Sequence, residues 1–227
     1  ARYFAARAAA ARRVRAARPL AARRGVVPLA DLVGTRMANS AFHATRLDVD
    51  HIAGEVQSLV GSVEGRFETS RSDISGKGVF VSHETFTPAR GGSAAAEVES
   101  LRSAFGDGMD EIVIANIKGY TGHPMGAGLE DALAVRMLHK RRVPPIPHLE
   151  EYDESLGNLT FSDGSETELD YAIRLAAGFG SQLALGVWRR RAQSENRLDQ
   201  AAFDAWLKND VGLENPSVSV EKRVLKA

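Results

Sequence analysis

The sequence predicts a layered α/β domain in which helices cover a mixed β-sheet. Short apolar runs bounded by turn residues predict buried strands, and they alternate with segments whose apolar residues recur at helical spacing. Of the 227 residues, 44% are hydrophobic and 26% are charged, as in ordinary globular proteins. No apolar run approaches the roughly 18 residues of a membrane span, and no secretory signal is recognisable. We therefore expect a cytoplasmic protein without a membrane span.

The first 140 residues alternate between strand and helix patterns. Ile52, Val56 and Leu59 show the spacing of one helix face, and the run from Val79 to Ser82 (VFVS) is typical of a buried strand. The predicted strands are 26–33, 79–82 and 111–115, and the predicted helices are 50–63, 93–105 and 128–139.

The second half predicts a hairpin and then a tail. The proline-rich run 143–148 is expected to be extended, and the apolar runs 171–177 and 182–188 flank a glycine turn, which favours a β-hairpin. Residues 189–210 have the pattern of a charged amphipathic helix. The predicted organisation is an Arg/Ala-rich helix over 1–24, a domain over 25–188, and a helix with an extended linker over 189–227.

Charge is balanced overall but not along the chain. There are 29 basic and 29 acidic residues, so the net charge is zero and gives no support to nucleic-acid binding. Residues 1–24 hold eight arginines and no acid. This segment fits a solvated helix face, a transit peptide or an anion-binding arm. An arginine-rich module that docks acidic partners is accordingly one interpretation of the protein.

The residue types exclude several kinds of chemistry. The chain contains no cysteine, so it cannot supply a disulfide, a thiolate metal site or a cysteine nucleophile. Its six histidines lack close ligand spacing, so no metal is predicted. No Gly-Lys-Ser/Thr follows its glycines, so no nucleotide-binding loop is predicted either.

Chemically distinctive residues follow three of the predicted strands. His83 begins a loop after the strand 79–82, Lys118 and His123 follow the strand 111–115, and Phe179 lies between Gly178 and Gly180. Ligand sites of α/β sheets form at the carboxyl ends of strands. Two imidazoles and an ammonium there can stabilise a developing enolate or oxyanion.

These loops resemble three motifs of one enzyme family. His83-Glu84-Thr85-Phe86-Thr87-Pro88 resembles a His-Gly-Thr-Gly-Thr-Pro motif, the segment from Lys118 to His123 resembles Lys-x-x-x-Gly-His, and Gly178-Phe179-Gly180-Ser181 resembles Gly-Phe-Gly-Gly. The family is that of the β-ketoacyl synthases of the thiolase-like superfamily. The resemblance covers about residues 20–190 and corresponds to the carboxyl-terminal half of a synthase from a modular polyketide- or fatty-acid-synthase-like protein. It implies a layered thiolase-like fold.

The resemblance also implies roles for individual residues. His83 and His123 would assist the decarboxylation of a malonyl unit and stabilise the enolate that attacks an acyl thioester. Lys118 would support the histidines, and the backbone N–H of Phe179 would join an oxyanion hole. Gly178 and Gly180 would let that residue move. Thr85 and Thr87 would contact the pantetheine arm of the substrate.

The partners follow from the same resemblance. No tightly bound cofactor is implied, and an acyl carrier protein would deliver phosphopantetheine-linked substrates. The nucleophilic cysteine would come from an amino-terminal half, on the same or another chain, and the full enzyme would be a homodimer. The isolated chain is not expected to be active.

Several positions depart from the family pattern. Glu84 and Phe86 replace two glycines and add bulk near the pantetheine route, and Ser181 replaces a third glycine. The run after His123 is one residue short, so Glu130 or Asp131 must stand in for a helix glutamate of the family. These departures do not show that activity is lost. A non-catalytic subunit of the chain-length-factor type is the alternative function, and the retained histidines, Lys118 and Phe179 argue against it. A thiolase or hydroxymethylglutaryl-type synthase would share the fold, but the Lys118 and Phe179 motifs favour the decarboxylating branch.

Overall fold

The computed structural model describes residues 19–44, 46–85, 93–122, 127–191, 197–214, 219–221 and 224–226. The chain divides into two compact units, Leu29–Arg190 and a smaller one from the two chain ends. The helices are α1 (Val49–Phe67), α2 (Arg71–Gly76), α3 (Ser93–Phe105), α4 (Lys118–Thr121), α5 (Ala127–Lys140) and α6 (Gln200–Trp206). The strands are β1 (Ala30–Asn39), β2 (Gly78–Val81), β3 (Val113–Ala115), β4 (Thr160–Phe161), β5 (Tyr171–Gly178), β6 (Gln182–Arg190), β7 (Ser219–Glu221) and β8 (Val224–Lys226).

The larger unit is built on a mixed six-stranded sheet in the order β1-β6-β5-β2-β3-β4. The three neighbours β5, β2 and β3 run parallel, as does β4 beside β3. β6, which pairs with β5 and β1, runs antiparallel to the other strands of this sheet. The carboxyl ends of β5, β2 and β3 therefore meet at one edge of the sheet.

Each face of the sheet carries its own hydrophobic core. On one face, Phe80 packs with the apolar stripes of α1 and α3, which include Ile52 and Leu101. On the other face, Val79 and Val81 pack with buried residues of α5. This alternation along β2 is the two-residue period of a strand, so the three layers follow from the sequence pattern.

Local signals fix the ends of two helices. The Asp48 carboxylate accepts a hydrogen bond from the His51 backbone N–H at 3.2 Å and starts α1. Ser70 and Asp73 form a capping box that starts α2. Gly78 begins β2 one residue after the end of α2, and a Cβ there would lie 2.3 Å from the Ile74 carbonyl oxygen. Glycine at position 78 thus allows the tight entry into β2.

The smaller unit joins residues from both chain ends. Val26 forms an isolated antiparallel bridge with Leu198. The Arg24 guanidinium lies 4.4 Å from the ring centre of Trp206, and Arg23 pairs with Asp210. Two arginines of the basic segment therefore make contacts within the protein, while residues 1–18 lie outside the described part of the chain.

Two sequence-based boundaries were wrong. The first strand is Ala30–Asn39 rather than 26–33, because Pro28 has no N–H to donate to a ladder and pairing with β6 starts at Ala30. A single helix over 189–210 was also wrong. β6 continues to Arg190, and α6 spans only Gln200–Trp206 before a π-helical turn, Leu207–Val211.

The other predicted strands and helices of the domain were confirmed to within a few residues at their ends, but the run 143–148 ends in a turn at Pro147 and His148. The hairpin forms as β5 and β6, and the helix over 93–105 has its predicted limits. The tail after Val211 includes a short antiparallel pair, β7–β8. Within the described residues, no helix is long and apolar enough to cross a bilayer.

Candidate active site

Three of the predicted loops lie at one edge of the sheet. Ser82–Thr85 follows β2, Asn116–Lys118 follows β3, and the turn at 179–181 follows β5. Because β5, β2 and β3 are adjacent and parallel, their carboxyl ends lie side by side. The sheet topology thus places His83 and Lys118 in neighbouring loops.

Lys118 is a buried cation with two fixed partners. Its Nζ atom lies 2.6 Å from Glu130 Oε1 and 3.2 Å from the carbonyl oxygen of Ser82. The Lys118 and Glu130 side chains are only 6% and 5% exposed. The ammonium therefore bridges α5 to the residue that immediately precedes His83.

Glu97 holds the same loop from the opposite side. Ser82 Oγ donates to Glu97 Oε2 at 2.6 Å, and the His83 backbone N–H donates to Oε1 at 2.7 Å. Glu97 lies on α3 and is 4% exposed. Glu97 on α3 and the Lys118 ammonium, which is paired with Glu130 on α5, therefore hold the backbone at Ser82 and His83 from two sides.

Burial dominates the titration of Glu97. It raises the pKa of this carboxyl group to about 8, although the hydrogen bonds from Ser82 and His83 favour the ionised form. Nearby Glu84 raises the pKa further, and Lys118 lowers it. The Glu97 carboxyl group is therefore mostly neutral near pH 7. It holds the His83 loop without adding a second buried negative charge to that of Glu130.

The side chains of Asn116 and Glu84 make further hydrogen bonds that hold the loop in place. Asn116 Nδ2 donates to the Glu84 carbonyl oxygen at 2.7 Å, and its Oδ1 accepts from the Lys118 backbone N–H at 2.9 Å. Glu84 Oε2 accepts from Ser93 Oγ at 2.6 Å and from the Ala94 backbone N–H at 2.8 Å. The Glu84 carboxylate thus caps the first turn of α3, where it complements the helix dipole.

Four further predicted site residues, two histidines and two threonines, fall into two groups. His83 and Thr85 are half-buried at the sheet edge. His123 and Thr87 lie outside the described residues. The meeting of the two histidines and the contact of Thr87 with a pantetheine arm therefore stay predictions.

Phe179 lies at the tip of the β5–β6 hairpin with its side chain 81% exposed. Gly180 adopts a φ of 78°, which glycine tolerates, and its N–H donates to the Ala44 carbonyl oxygen at 3.1 Å. Ser181 also has a positive φ, 56°. Its buried hydroxyl donates to the Arg46 carbonyl oxygen at 3.0 Å and accepts from the Asp48 N–H at 3.1 Å. The turn that carries Phe179 is thus tied to the loop before α1.

The sequence analysis missed the buried acid on α3 and an arginine on β5. Glu97 precedes Leu101 by four residues and Ala104 by seven, so it lies on the buried face of its helix. This helical spacing was the sequence signal that could have predicted its burial. Arg174 is 6% exposed and pairs with Asp131 through Nε–Oδ1 at 2.6 Å. Of the two proposed substitutes for the family's helix glutamate, Glu130 contacts Lys118 and Asp131 contacts Arg174.

The arrangement suits polar chemistry at a carbonyl group. The Lys118 ammonium is paired with Glu130, so its part is to hold the His83 loop in place, and hydrogen-bond donors held in this way in a protected region favour developing negative charge on oxygen. Within the described residues, no group of three or more potential ligands has the geometry of a metal site.

Comparison with known proteins identifies the fold class. The structure matches a ketosynthase of a type II polyketide synthase in complex with its acyl-carrier protein, with a TM-score of 0.64 and 22% identity over 76% of this chain and 41% of that one. It matches a β-ketoacyl synthase from Burkholderia phymatum equally well, with a TM-score of 0.64 and 21% identity over 77% and 40% of the two chains. The fold is that of the thiolase-like ketosynthases.

Sequence comparison points to the same proteins. The chain is 28% identical to 3-oxoacyl-[acyl-carrier-protein] synthase 2 of Vibrio harveyi over 174 residues, which are 75% of this chain and 40% of the relative. The corresponding synthase of Coxiella burnetii is 26% identical over 168 residues, 70% of this chain and 37% of the relative. No family model matches the chain. The resemblance to the β-ketoacyl synthases is therefore confirmed, and the match is consistent with their carboxyl-terminal half. The chain spans about two-fifths of the length of these relatives.

Proposed function

We propose that the chain is the carboxyl-terminal half of a β-ketoacyl-[acyl carrier protein] synthase that acts in fatty acid or polyketide synthesis. The observation that supports this most strongly is the buried Lys118–Glu130 pair. Its ammonium also binds the carbonyl oxygen of Ser82, directly before His83. Desolvating such a pair is costly, and a scaffold has no need of a cation at this sheet edge.

The proposed reaction is a decarboxylative Claisen condensation. An acyl group is first held as a thioester on a cysteine supplied by an amino-terminal half of the synthase. A carrier-bound malonyl thioester then loses CO₂, and the electron pair of the broken C–C bond passes into an enolate. The enolate carbon attacks the acyl thioester, a new C–C bond forms, and the cysteine thiolate leaves.

His83 and His123 would donate hydrogen bonds to the thioester oxygen that becomes the enolate. Lys118 would raise the positive potential at these imidazoles without touching the substrate, so it is a positioning residue. The Phe179 N–H would join the oxyanion hole, with Gly178 and Gly180 allowing the turn to adjust. Thr85 and Thr87 would contact the phosphopantetheine arm that an acyl carrier protein delivers, and the complete enzyme would be a homodimer.

Reconstitution tests this function. The chain is co-expressed with an amino-terminal synthase segment that carries the nucleophilic cysteine, and release of CO₂ from malonyl-carrier protein is followed. His83→Ala and His123→Ala should each lower the rate by about 10²–10³-fold, the usual cost of removing one hydrogen-bond donor to a developing oxyanion. His51→Ala, on α1, should leave it unchanged. Undiminished rates in both site variants would reject the proposal.

A non-catalytic role of the chain-length-factor type is the alternative. It is supported by the structural match to a ketosynthase/chain length factor for ishigamide, which has a TM-score of 0.63 and 19% identity. In that case, the histidine variants would leave the condensation rate of the assembled enzyme unchanged, and only the length of its products would respond to changes in this chain.

A further inference from the structure

We infer that Glu84 is a positioning residue, which fixes Thr85 in the His83 loop to helix α3. Glu84 stands where the motif that this loop resembles has glycine, and a glycine could not make the contacts of its side chain. Each polar atom of Glu84 has a hydrogen-bond partner, and these partners belong to different parts of the fold. The holding role does not depend on the proposed function, whereas its consequence for substrate binding rests on it.

The backbone of Glu84 is held by the ends of two neighbouring strands. Its N–H donates to Ser82 Oγ at 3.0 Å, and Ser82 directly follows β2. Its carbonyl oxygen accepts from Asn116 Nδ2 at 2.7 Å, and Asn116 directly follows β3. Asn116 is itself buried and accepts from the Lys118 backbone N–H. The sheet edge therefore sets the position from which the Glu84 side chain extends.

The carboxylate of Glu84 connects the loop to α3. Its Oε1 atom accepts from the Thr85 backbone N–H at 2.8 Å. Its Oε2 atom accepts from Ser93 Oγ at 2.6 Å and from the Ala94 backbone N–H at 2.8 Å, at the start of α3. Both oxygens of a carboxylate accept hydrogen bonds, whereas a glutamine amide offers only one oxygen. Glutamate at position 84 can therefore hold Thr85 and the start of α3 together, and glutamine can hold only one of them.

The charge of Glu84 also acts on the buried acid beneath the loop. The groups that face this acid, Glu97, are Ser82, His83, Glu84 and Lys118. Lys118 is in turn paired with Glu130 on α5. Burial is the largest cause that raises the pKa of Glu97 to about 8, and the charge of Glu84 adds to it. Removing the charge at position 84 should therefore lower the pKa of Glu97.

Amide hydrogen exchange of the purified chain, followed by NMR, tests the holding role. Because Glu84→Gln removes one acceptor oxygen, the exchange of the Thr85 or the Ala94 amide should rise about fivefold, the usual cost of one hydrogen bond. Asp73→Asn is the matched control, since Asp73 also accepts hydrogen bonds at the start of a helix, α2, and should leave both amides unchanged. Unchanged exchange in Glu84→Gln, or an equal rise in Asp73→Asn, would overturn the inference.

A measurement on the unmodified protein does not depend on the folding of a variant. The Thr85 and Ala94 amides should exchange at least about fivefold more slowly than in the unfolded chain, because each donates to Glu84. Exchange of both amides at the rate of the unfolded chain would overturn the inference.

The titration of Glu97 gives a readout of the charge at position 84. The Glu97 carboxyl carbon is followed by NMR from about pH 5 to about pH 10, on both sides of its pKa. The midpoint should lie at lower pH in Glu84→Gln than in the wild type, and Asp73→Asn should not move it. An unchanged midpoint in Glu84→Gln would contradict the placement of the Glu84 carboxylate beside Glu97.

In the reconstituted synthase, the expected effect is on KM. Thr85 would contact the pantetheine arm and Glu84 would act only through Thr85, so Glu84→Gln should raise KM for malonyl-carrier protein about fivefold with kcat nearly unchanged. A lower kcat at constant KM would overturn this assignment. If the wild-type assembly releases no CO₂, the proposed function fails, and the exchange measurements still decide whether Glu84 holds the loop.

Discussion

Lys118 and Glu130 form a buried ion pair, with Nζ 2.6 Å from Oε1, that connects the loop after β3 to helix α5. The same ammonium binds the Ser82 carbonyl oxygen, so the pair also fixes the start of the His83 loop. Since both side chains are about 95% buried, each charge depends on the other for compensation.

Breaking this pair should be costly, and replacing it should not. Lys118→Met leaves the Glu130 carboxylate buried without its partner and should lower the free energy of unfolding by about 3–5 kcal/mol. Lys118→Met combined with Glu130→Leu removes both charges and should recover most of that loss. Urea denaturation measures both. A double variant no more stable than the single one would show that the charges are not mutually dependent.

Glu97 should make the protein less stable as the pH rises. The folded-state pKa is about 8 and lies above the ordinary value of 4.5, so between these values the folded state binds a proton that the unfolded state has lost. The contribution of Glu97 to the free energy of unfolding is complete below about pH 4.5. It decreases by up to about 1.4 kcal/mol per pH unit as the pH rises, and it is lost above about pH 8.

Glu97→Gln isolates this effect because glutamine keeps the shape and does not titrate. We expect the wild-type stability, measured relative to this variant by denaturant unfolding from pH 4.5 to 8.5, to fall steadily with pH. A constant difference across this range would show that Glu97 is ionised in the folded protein at all these pH values.

The pair between buried Arg174 and half-buried Asp131 should stabilise the packing of α5 on the sheet. Asp131→Ala leaves the Arg174 guanidinium, 6% exposed, without its carboxylate and should cost about 3 kcal/mol. Glu168→Gln is the control, because Lys77 and Glu168 are 4.0 Å apart and largely exposed, and such pairs contribute less than about 1 kcal/mol. Equal losses in the free energy of unfolding of the two variants would show that the buried arginine does not make the first pair more important than the exposed one.

Ser181 should be replaced more easily by glycine than by alanine. Both substitutions remove hydrogen bonds to Arg46 and Asp48, worth about 1 kcal/mol each. Glycine also relieves the cost of a φ of 56°, about 1–2 kcal/mol for other residues. We therefore expect Ser181→Ala to be less stable than Ser181→Gly by about 1 kcal/mol in thermal unfolding. A wild-type-like alanine variant would show that the hydroxyl does not hold the turn.

Much of the fold could be predicted because its signals are local. The buried strand at Val79–Val81 and the helix face at Ile52 and Val56 are set by periodicity, and parallel strands bring their terminal loops to one edge. The start of β1 was missed although Pro28 is a local signal against a strand there, whereas its end at Asn39 could not be predicted because it depends on pairing with β6, which lies far along the chain. The helix expected over 189–210 failed for a similar reason, since Arg189 and Arg190 pair with β1.

The site was predictable only in part. Motif order indicated Lys118 and His83, and the shortened segment after His123 suggested Glu130 or Asp131. Only the packed structure could show that Glu130 contacts Lys118 and that Asp131 contacts Arg174. Glu97 was missed because an acid in an alanine-rich helix is usually solvated, and its burial depends on the loop that folds over it.

The decarboxylation rate of the reconstituted synthase tests the central claim most directly. The claim is that the Lys118 ammonium supports the reaction as well as the fold. In the Lys118→Met, Glu130→Leu double variant, which should be folded, we predict at least a hundredfold lower release of CO₂ from malonyl-carrier protein than in the wild-type assembly. A rate equal to the wild-type rate in the folded double variant would contradict the account.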